Sequence, residues 1–140
     1  RKVDMVLEKI DSPNVKALWD PGNDIWDPDG EIPFPDGYNY IKDHMVHMHL
    51  KDARKNVETG KVDGVPVGEG EVDYIGQFKQ LIEDGYEGYV SLETHYRPKV
   101  DIPEELMALP KGGAFSYLGD IATRESLEKW ALLMEKVLKG

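Results

Sequence analysis

The chain contains no cysteine among its 140 residues, which excludes disulfides and thiolate metal sites. No apolar run approaches the ~20 residues that a membrane-spanning helix needs, and no secretory signal is visible. We therefore expect a cytoplasmic protein with no membrane partner. The first residue is Arg1 rather than methionine, so we also expect that the natural start is lost or that the chain is a piece of a longer one.

Basic clusters are also scarce, although the formal net charge is -10. Lysines and arginines are scattered, and the densest group lies at 51–55. An acidic surface repels phosphate backbones unless a basic patch or a metal cluster overrides it, so we predict no nucleic-acid partner. Without cysteine, a metal ion must be held by oxygen and imidazole, which suits Mn²⁺, Mg²⁺, Co²⁺ or Zn²⁺.

The residues that are present indicate a single globular domain over 1–140. The chain is 40% hydrophobic and 31% charged, which is ordinary for a folded protein. Hydrophobic patterning and turn residues predict strands at 15–19, 45–50 and 89–93. They predict helices at 1–10, 38–42, 73–84 and from Thr123 to the end, and long loops at 24–37, 53–72 and 96–121. In the third helix, Asp73 is the predicted N-cap, and the predicted buried face is Ile75, Phe78, Leu81 and Ile82.

Strands that alternate with helices indicate an α/β fold with a parallel sheet. Long loops after the strands and short connections before them are typical of a barrel whose active site lies on the strand-to-helix loops. A full barrel takes about 250 residues. We therefore expect the C-terminal half of a (β/α)₈ barrel, about three parallel strands alternating with helices. Because an open sheet has two unpaired edges, we expect a homo-oligomer or pairing with a missing N-terminal half.

Three polar side chains lie at the carboxyl ends of the predicted strands: Asp20, His49 and Glu93. In a barrel these ends converge at one mouth, and two carboxylates with an imidazole make a site for a divalent ion. Taken singly, each has an ordinary structural interpretation, as a turn residue, a core histidine and an exposed strand end. Their recurrence at the same place in three successive units favours a shared site.

Five segments together resemble the xylose isomerase-like superfamily of sugar phosphate isomerases and epimerases, which also includes endonuclease IV. They are Trp19-Asp20-Pro21-Gly22-Asn23, His47-Met48-His49-Leu50-Lys51-Asp52, Gly68-Glu69-Gly70-Glu71-Val72-Asp73-Tyr74, Ser91-Leu92-Glu93 and Gly112-Gly113-Ala114-Phe115. The resemblance implies one divalent metal ion held by a glutamate on an earlier strand and by Asp20, His49 and Glu93. It also implies a small sugar or sugar phosphate as the substrate.

The resemblance further implies isomerase or epimerase chemistry through an enediolate. The metal polarises a hydroxyl-ketone pair and stabilises the enediolate, while Glu93 passes a proton at the adjacent carbon. The earlier glutamate, which would act on the other face, has no counterpart here. We therefore expect the fragment alone to be weakly active or inactive.

Five further residues are candidate substrate contacts. Asn23 follows Asp20 by three residues and could bond a sugar hydroxyl, or could be a plain loop residue. Arg54 and Lys55 could hold a hydroxyl or phosphate, or could simply be solvated. His95 is predicted beyond Glu93 at the same mouth, and Glu69 is read as a loop carboxylate near the site. Its neighbours Gly68 and Gly70 favour a backbone turn over phosphate binding.

Two competing hypotheses remain open. An endonuclease IV-like phosphodiesterase would need a trinuclear zinc site with more histidines. This chain has Asn23 where the nuclease pattern has histidine, and Asp63-Gly64-Val65 where it has Asp-x-His. The other alternative is a non-catalytic half-barrel that assembles with a partner.

Overall fold

The computed structural model describes residues 1–98, 103, 105 and 117–140. The helices are α1 (Lys2–Ile10), α2 (Pro21–Trp26), α3 (Tyr38–Ile41), α4 (Tyr74–Glu83) and α5 (Gly119–Lys139), with an irregular helical turn at Pro33–Gly37 before α3. The strands are β1 (Ala17–Trp19), β2 (Met45–Leu50), β3 (Asp52–Lys55), β4 (Val62–Val65) and β5 (Tyr89–Leu92). The predicted segment Gly112–Phe115 lies outside the described residues.

The central feature is a parallel sheet in the order β1-β2-β5. Its register places Leu18 beside His47 and His47 beside Tyr89. Because strand side chains alternate, Leu18, His47, His49 and Tyr89 share one face of the sheet. The predicted α/β fold, with three parallel strands alternating with helices, is confirmed.

The opposite face of the sheet carries the hydrophobic core. Trp19, Met48 and Leu50 are buried there in one cluster with side chains of α3, α4 and α5. Aromatic rings continue the cluster, since Phe78 lies 6.1 Å from Tyr74 and 6.4 Å from Trp130 between ring centroids. The core therefore fixes the sheet from one side, and the other face carries His47 and His49 between Leu18 and Tyr89.

Helix α4 begins as predicted but buries a different face. The Asp73 carboxylate accepts from the Gly76 N–H at the helix start, and α4 ends before Gly85, whose φ is +68°. Its buried residues are Tyr74, Gln77, Phe78 and Leu81, whereas Ile75 and Ile82 are exposed, Ile82 by 56%. Two of the four residues predicted to be buried, Ile75 and Ile82, are therefore wrong. Tyr74 and Gln77 are buried instead, because Tyr74 bonds to Lys51 just after β2 and Gln77 bonds to Met48 within β2.

Two predicted loops contain regular structure. Within 24–37, the chain continues α2, which starts at Pro21 with Asp20 as its N-cap. Within 53–72, β3 and β4 form an antiparallel pair from Asp52–Val65 to Lys55–Val62.

Helix α5 begins at Gly119 rather than at Thr123. Among the described helices, none combines the length and the apolar character that a membrane span requires.

Candidate metal centre

The three predicted metal ligands meet at the carboxyl end of the parallel sheet. Asp20 follows β1, His49 is in β2 and Glu93 follows β5. One ligand atom from each lies within 4.8 Å of the others. His49 Nδ1 is 3.4 Å from Asp20 Oδ2 and 3.2 Å from Glu93 Oε2. Convergence of strand ends in a barrel thus produces a compact group of two carboxylates and one imidazole.

A fourth residue, Lys51, lies at the centre of this group and was missed by the sequence analysis. Its Nζ is 2.7 Å from Asp20 Oδ2 and 2.7 Å from Glu93 Oε2. Its side chain is only 3% exposed, which is unusual for lysine. The available signal was strand alternation, because Lys51 follows His49 by two residues and so points to the same face.

Lys51 sets the electrostatics of the two carboxylates in different ways. Its hydrogen bond is the main reason that the pKa of Glu93 is lowered to about 2. Burial raises the pKa of Asp20 above its ordinary value, against the opposing effect of Lys51. Burial alone would lower the pKa of Lys51, but the two carboxylates raise it overall. At neutral pH the ammonium therefore keeps its charge, and Glu93 is ionised.

The backbone of Lys51 is fixed from two sides. The Tyr74 hydroxyl accepts from the Lys51 N–H at 2.9 Å and donates to the Lys51 carbonyl at 2.8 Å. On the other side, α2 passes so close that a Cβ at Gly22 would collide with the Lys51 carbonyl oxygen. A hydroxyl on α4 and a glycine in α2 thus hold the end of β2, and with it the direction of the Lys51 side chain.

The next residue, Asp52, organises the loop that follows β4. Its buried carboxylate accepts from the backbone N–H groups of Gly68 and Gly70 at 2.9 Å, Ala53 at 2.9 Å and Val72 at 3.3 Å. The two glycine N–H groups are therefore engaged within the protein, as the predicted turn requires, and do not form a phosphate cradle.

Two aromatic neighbours complete the surroundings of the centre. His47 Nε2 lies 2.7 Å from Ser91 Oγ, and its ring stands perpendicular to that of His49, with 5.5 Å between centroids. The Trp26 ring centroid is 5.9 Å from Lys51 Nζ, which is cation–π range. An edge-on contact of 5.8 Å joins Trp26 to His95.

The five predicted substrate contacts fall in different places. Asn23 lines a cavity of about 360 Å³ together with the three predicted ligands and Lys51. His95 lines a neighbouring cavity with Thr94 and Arg97. The other three lie outside the central cavity. Arg54 donates to the Glu69 carbonyl, and the Glu69 carboxylate pairs with Lys129 at 2.6 Å. The Lys55 N–H donates to the Glu71 carboxylate at 2.6 Å. Substrate contact stays a prediction for all five.

The donor set at the centre fits a divalent cation. Asp20 Oδ2 is buried, and among the described residues it faces Lys51 Nζ at 2.7 Å and His49 Nδ1 at 3.4 Å. The Asp20 side chain is only 5% exposed, so its charge is compensated by protein groups rather than by bulk water. A buried carboxylate oxygen of this kind, beside an imidazole and a second carboxylate, is the mixed oxygen and nitrogen set that Mn²⁺, Mg²⁺, Co²⁺ and Zn²⁺ accept.

Comparisons with known proteins confirm the prediction that the α/β fold is part of a (β/α)₈ barrel. The family model for the xylose isomerase-like TIM barrel matches residues 2–111. Inosose dehydratases from two strains of Clostridium perfringens are 29% identical over an alignment of 118 positions, which covers 74% of this chain and 38% of each relative. The crystal structure of a xylose isomerase domain protein from Planctomyces limnophilus superimposes with a TM-score of 0.66 at 21% identity, over 99% of this chain and 44% of that one. The chain therefore spans less than half the length of these proteins.

Proposed function

We propose that this chain, which belongs to the xylose isomerase-like TIM barrel family, contributes the metal-binding end of an enzyme that moves a proton beside the carbonyl of a sugar. The convergence of Asp20, His49 and Glu93 within 4.8 Å carries the proposal. These three residues would hold one divalent ion. When bound, such an ion polarises a carbonyl or hydroxyl oxygen and so makes the neighbouring C–H group more acidic.

The residues of the chain would divide the remaining work. Asp20 is buried and acts only as a ligand, whereas Glu93 is exposed enough to reach a substrate carbon and exchange a proton with it. Asn23 would bond a substrate hydroxyl from the wall of the same cavity. Trp26, beside Lys51 and His95, would offer an apolar ring to the sugar.

Isomerisation or epimerisation of a sugar or sugar phosphate is the reaction that we propose for the whole enzyme. The inosose dehydratases are named for a dehydration, which supplies a second candidate reaction. Loss of water next to a carbonyl also begins with removal of a proton from the adjacent carbon. Both reactions can therefore use the same ion and the same carboxylate, and they differ in the group that leaves afterwards.

A partner is part of the proposal. In the sheet β1-β2-β5, β2 is the central strand. Among the described strands, β1 and β5 each pair with β2 alone, so each has one unpaired edge. We propose that the remainder of a barrel or a second copy of the chain covers these edges. Light scattering tests this directly: a larger assembly is expected at low micromolar concentration, and a monodisperse monomer would count against it.

The carbonyl requirement gives the sharpest test of function. Mn²⁺ bound to the chain would be followed by electron paramagnetic resonance while xylulose is added, with xylitol as the matched polyol without a carbonyl. We expect xylulose to change the spectrum at a lower concentration than xylitol, because the proposed site selects a carbonyl beside a hydroxyl. Equal effects of the two compounds, or none, would refute the proposed substrate class.

A further inference from the structure

We propose that Lys51 is an exchangeable counter-ion, whose ammonium lies between Asp20 and Glu93 and moves away when a divalent ion binds there. The inference rests on the proposed metal site and adds a role for a residue outside the ligand set. It makes Lys51 a competitor of the ion for the two carboxylates.

The first support is that the ammonium and the ion would use the same atoms. Lys51 Nζ is 2.7 Å from Asp20 Oδ2 and from Glu93 Oε2. These are the oxygens that lie nearest to His49 Nδ1, at 3.4 and 3.2 Å. A dication bound by the three side chains would therefore lie close to Nζ, where two positive centres repel strongly in a poorly solvated site.

The second support is the charge balance of the centre. With Lys51 in place, one positive charge faces two carboxylates, and the Lys51 side chain is only 3% exposed. A divalent ion carries twice the charge of the ammonium and would balance the two carboxylates fully. The ammonium thus stabilises the carboxylates without neutralising them, which leaves a driving force for exchange with a dication.

The third support is a place for the displaced ammonium. The Trp26 ring centroid lies 5.9 Å from Lys51 Nζ, within the range of a cation–π contact. The Lys51 backbone is held by Tyr74 on both its N–H and its carbonyl, so the exchange needs only rotation of the lysine side chain. Rotation toward Trp26 would keep the charge near an attractive surface and clear the ligand oxygens.

Metal affinity measured by calorimetry tests the exchange. Wild type, Lys51→Met and Lys16→Met would be titrated with Mn²⁺ at one pH. Lys16 is an exposed lysine that precedes β1, at the opposite end of the strand from Asp20, and it controls for the loss of one charge. We expect Lys51→Met to bind Mn²⁺ at least tenfold more tightly than wild type, and Lys16→Met to stay within about twofold.

The outcomes separate this inference from the proposed function. If wild type binds Mn²⁺ and Lys51→Met binds it equally or more weakly, the exchange is wrong and the metal site stands. If neither protein binds Mn²⁺, the metal site is wrong and the exchange falls with it.

A second measurement needs no Lys51 variant. Wild type would be acylated with an N-hydroxysuccinimide ester, and the modification of Lys51 would be followed by peptide mass spectrometry. We expect Lys51 to react slowly when a chelator is present and several-fold faster when Mn²⁺ is present. In His49→Ala, which lacks a ligand, Mn²⁺ is expected to leave the Lys51 rate unchanged. Equal Lys51 reactivity with and without Mn²⁺ in wild type would overturn the exchange.

Discussion

Replacement of Tyr74 by phenylalanine removes one oxygen atom and tests whether Lys51 is held in place by α4. The ring is 1% exposed and packs 6.1 Å from Phe78, and phenylalanine would keep that packing. The hydroxyl both accepts from the Lys51 N–H at 2.9 Å and donates to the Lys51 carbonyl at 2.8 Å. The substitution therefore leaves a buried backbone donor and a buried backbone acceptor without their partner.

The size of the effect follows from those two bonds. Each unsatisfied buried polar group costs about 1–3 kcal/mol, so Tyr74→Phe is expected to lose about 2–6 kcal/mol of unfolding free energy. For a chain of this length that corresponds to a fall of roughly 10 °C in Tm. Mn²⁺ affinity is also expected to fall, because the end of β2 carries the proposed ligand His49.

Urea denaturation followed by circular dichroism measures the loss, with Tyr40→Phe as the matched control. Tyr40 is 41% exposed, so its hydroxyl can bond to water, and the control is expected to change stability by less than about 0.5 kcal/mol. A loss below about 0.5 kcal/mol in Tyr74→Phe as well would refute the view that this hydroxyl anchors Lys51.

Three other substitutions test separate parts of the structure. Burial and the nearby Glu31 raise the pKa of Asp24 to about 6, so its ionised form opposes folding as the pH rises from about 4 to 6. Asp24→Asn is expected to stabilise the protein by about 1 kcal/mol at pH 7.5 and not at about pH 4, and a gain independent of pH would contradict this. Gly70→Ala places a Cβ against the Asp52 carboxylate and is expected to cost about 2 kcal/mol in urea denaturation, whereas an unchanged midpoint would show that the loop relaxes freely. Glu69→Gln breaks only an exposed ion pair and is expected to shift thermal stability by less than about 0.5 kcal/mol, so a larger loss would assign Glu69 a structural role.

The sequence was most informative where local patterns and packing agree. Strand β2 was predicted at its observed bounds because its core-facing residues Met48 and Leu50 alternate with His47 and His49. The start of α4 was predicted because Asp73 caps it through a local hydrogen bond. Parallel pairing of the three strands then brought the predicted ligands together, since each follows or ends a strand.

Features that depend on distant contacts could not be read from local patterns. Helix α2 contains proline and glycine, and Gly22 finds its place only against the Lys51 carbonyl. Strand β3 is polar, and Asp52 at its start gains its hydrogen bonds from a loop that begins after β4. Lysine is ordinarily solvated, so burial of Lys51 requires carboxylates that arrive from β1 and β5.

The most direct test of the metal site is the number of Mn²⁺ ions bound per chain. Free Mn²⁺ would be counted by electron paramagnetic resonance during titration of wild type and of His49→Ala, which removes the imidazole that faces both carboxylates. We expect one ion per chain in wild type and none at the same concentrations in His49→Ala. No binding by wild type, or equal binding by both proteins, would contradict the site formed by Asp20, His49 and Glu93.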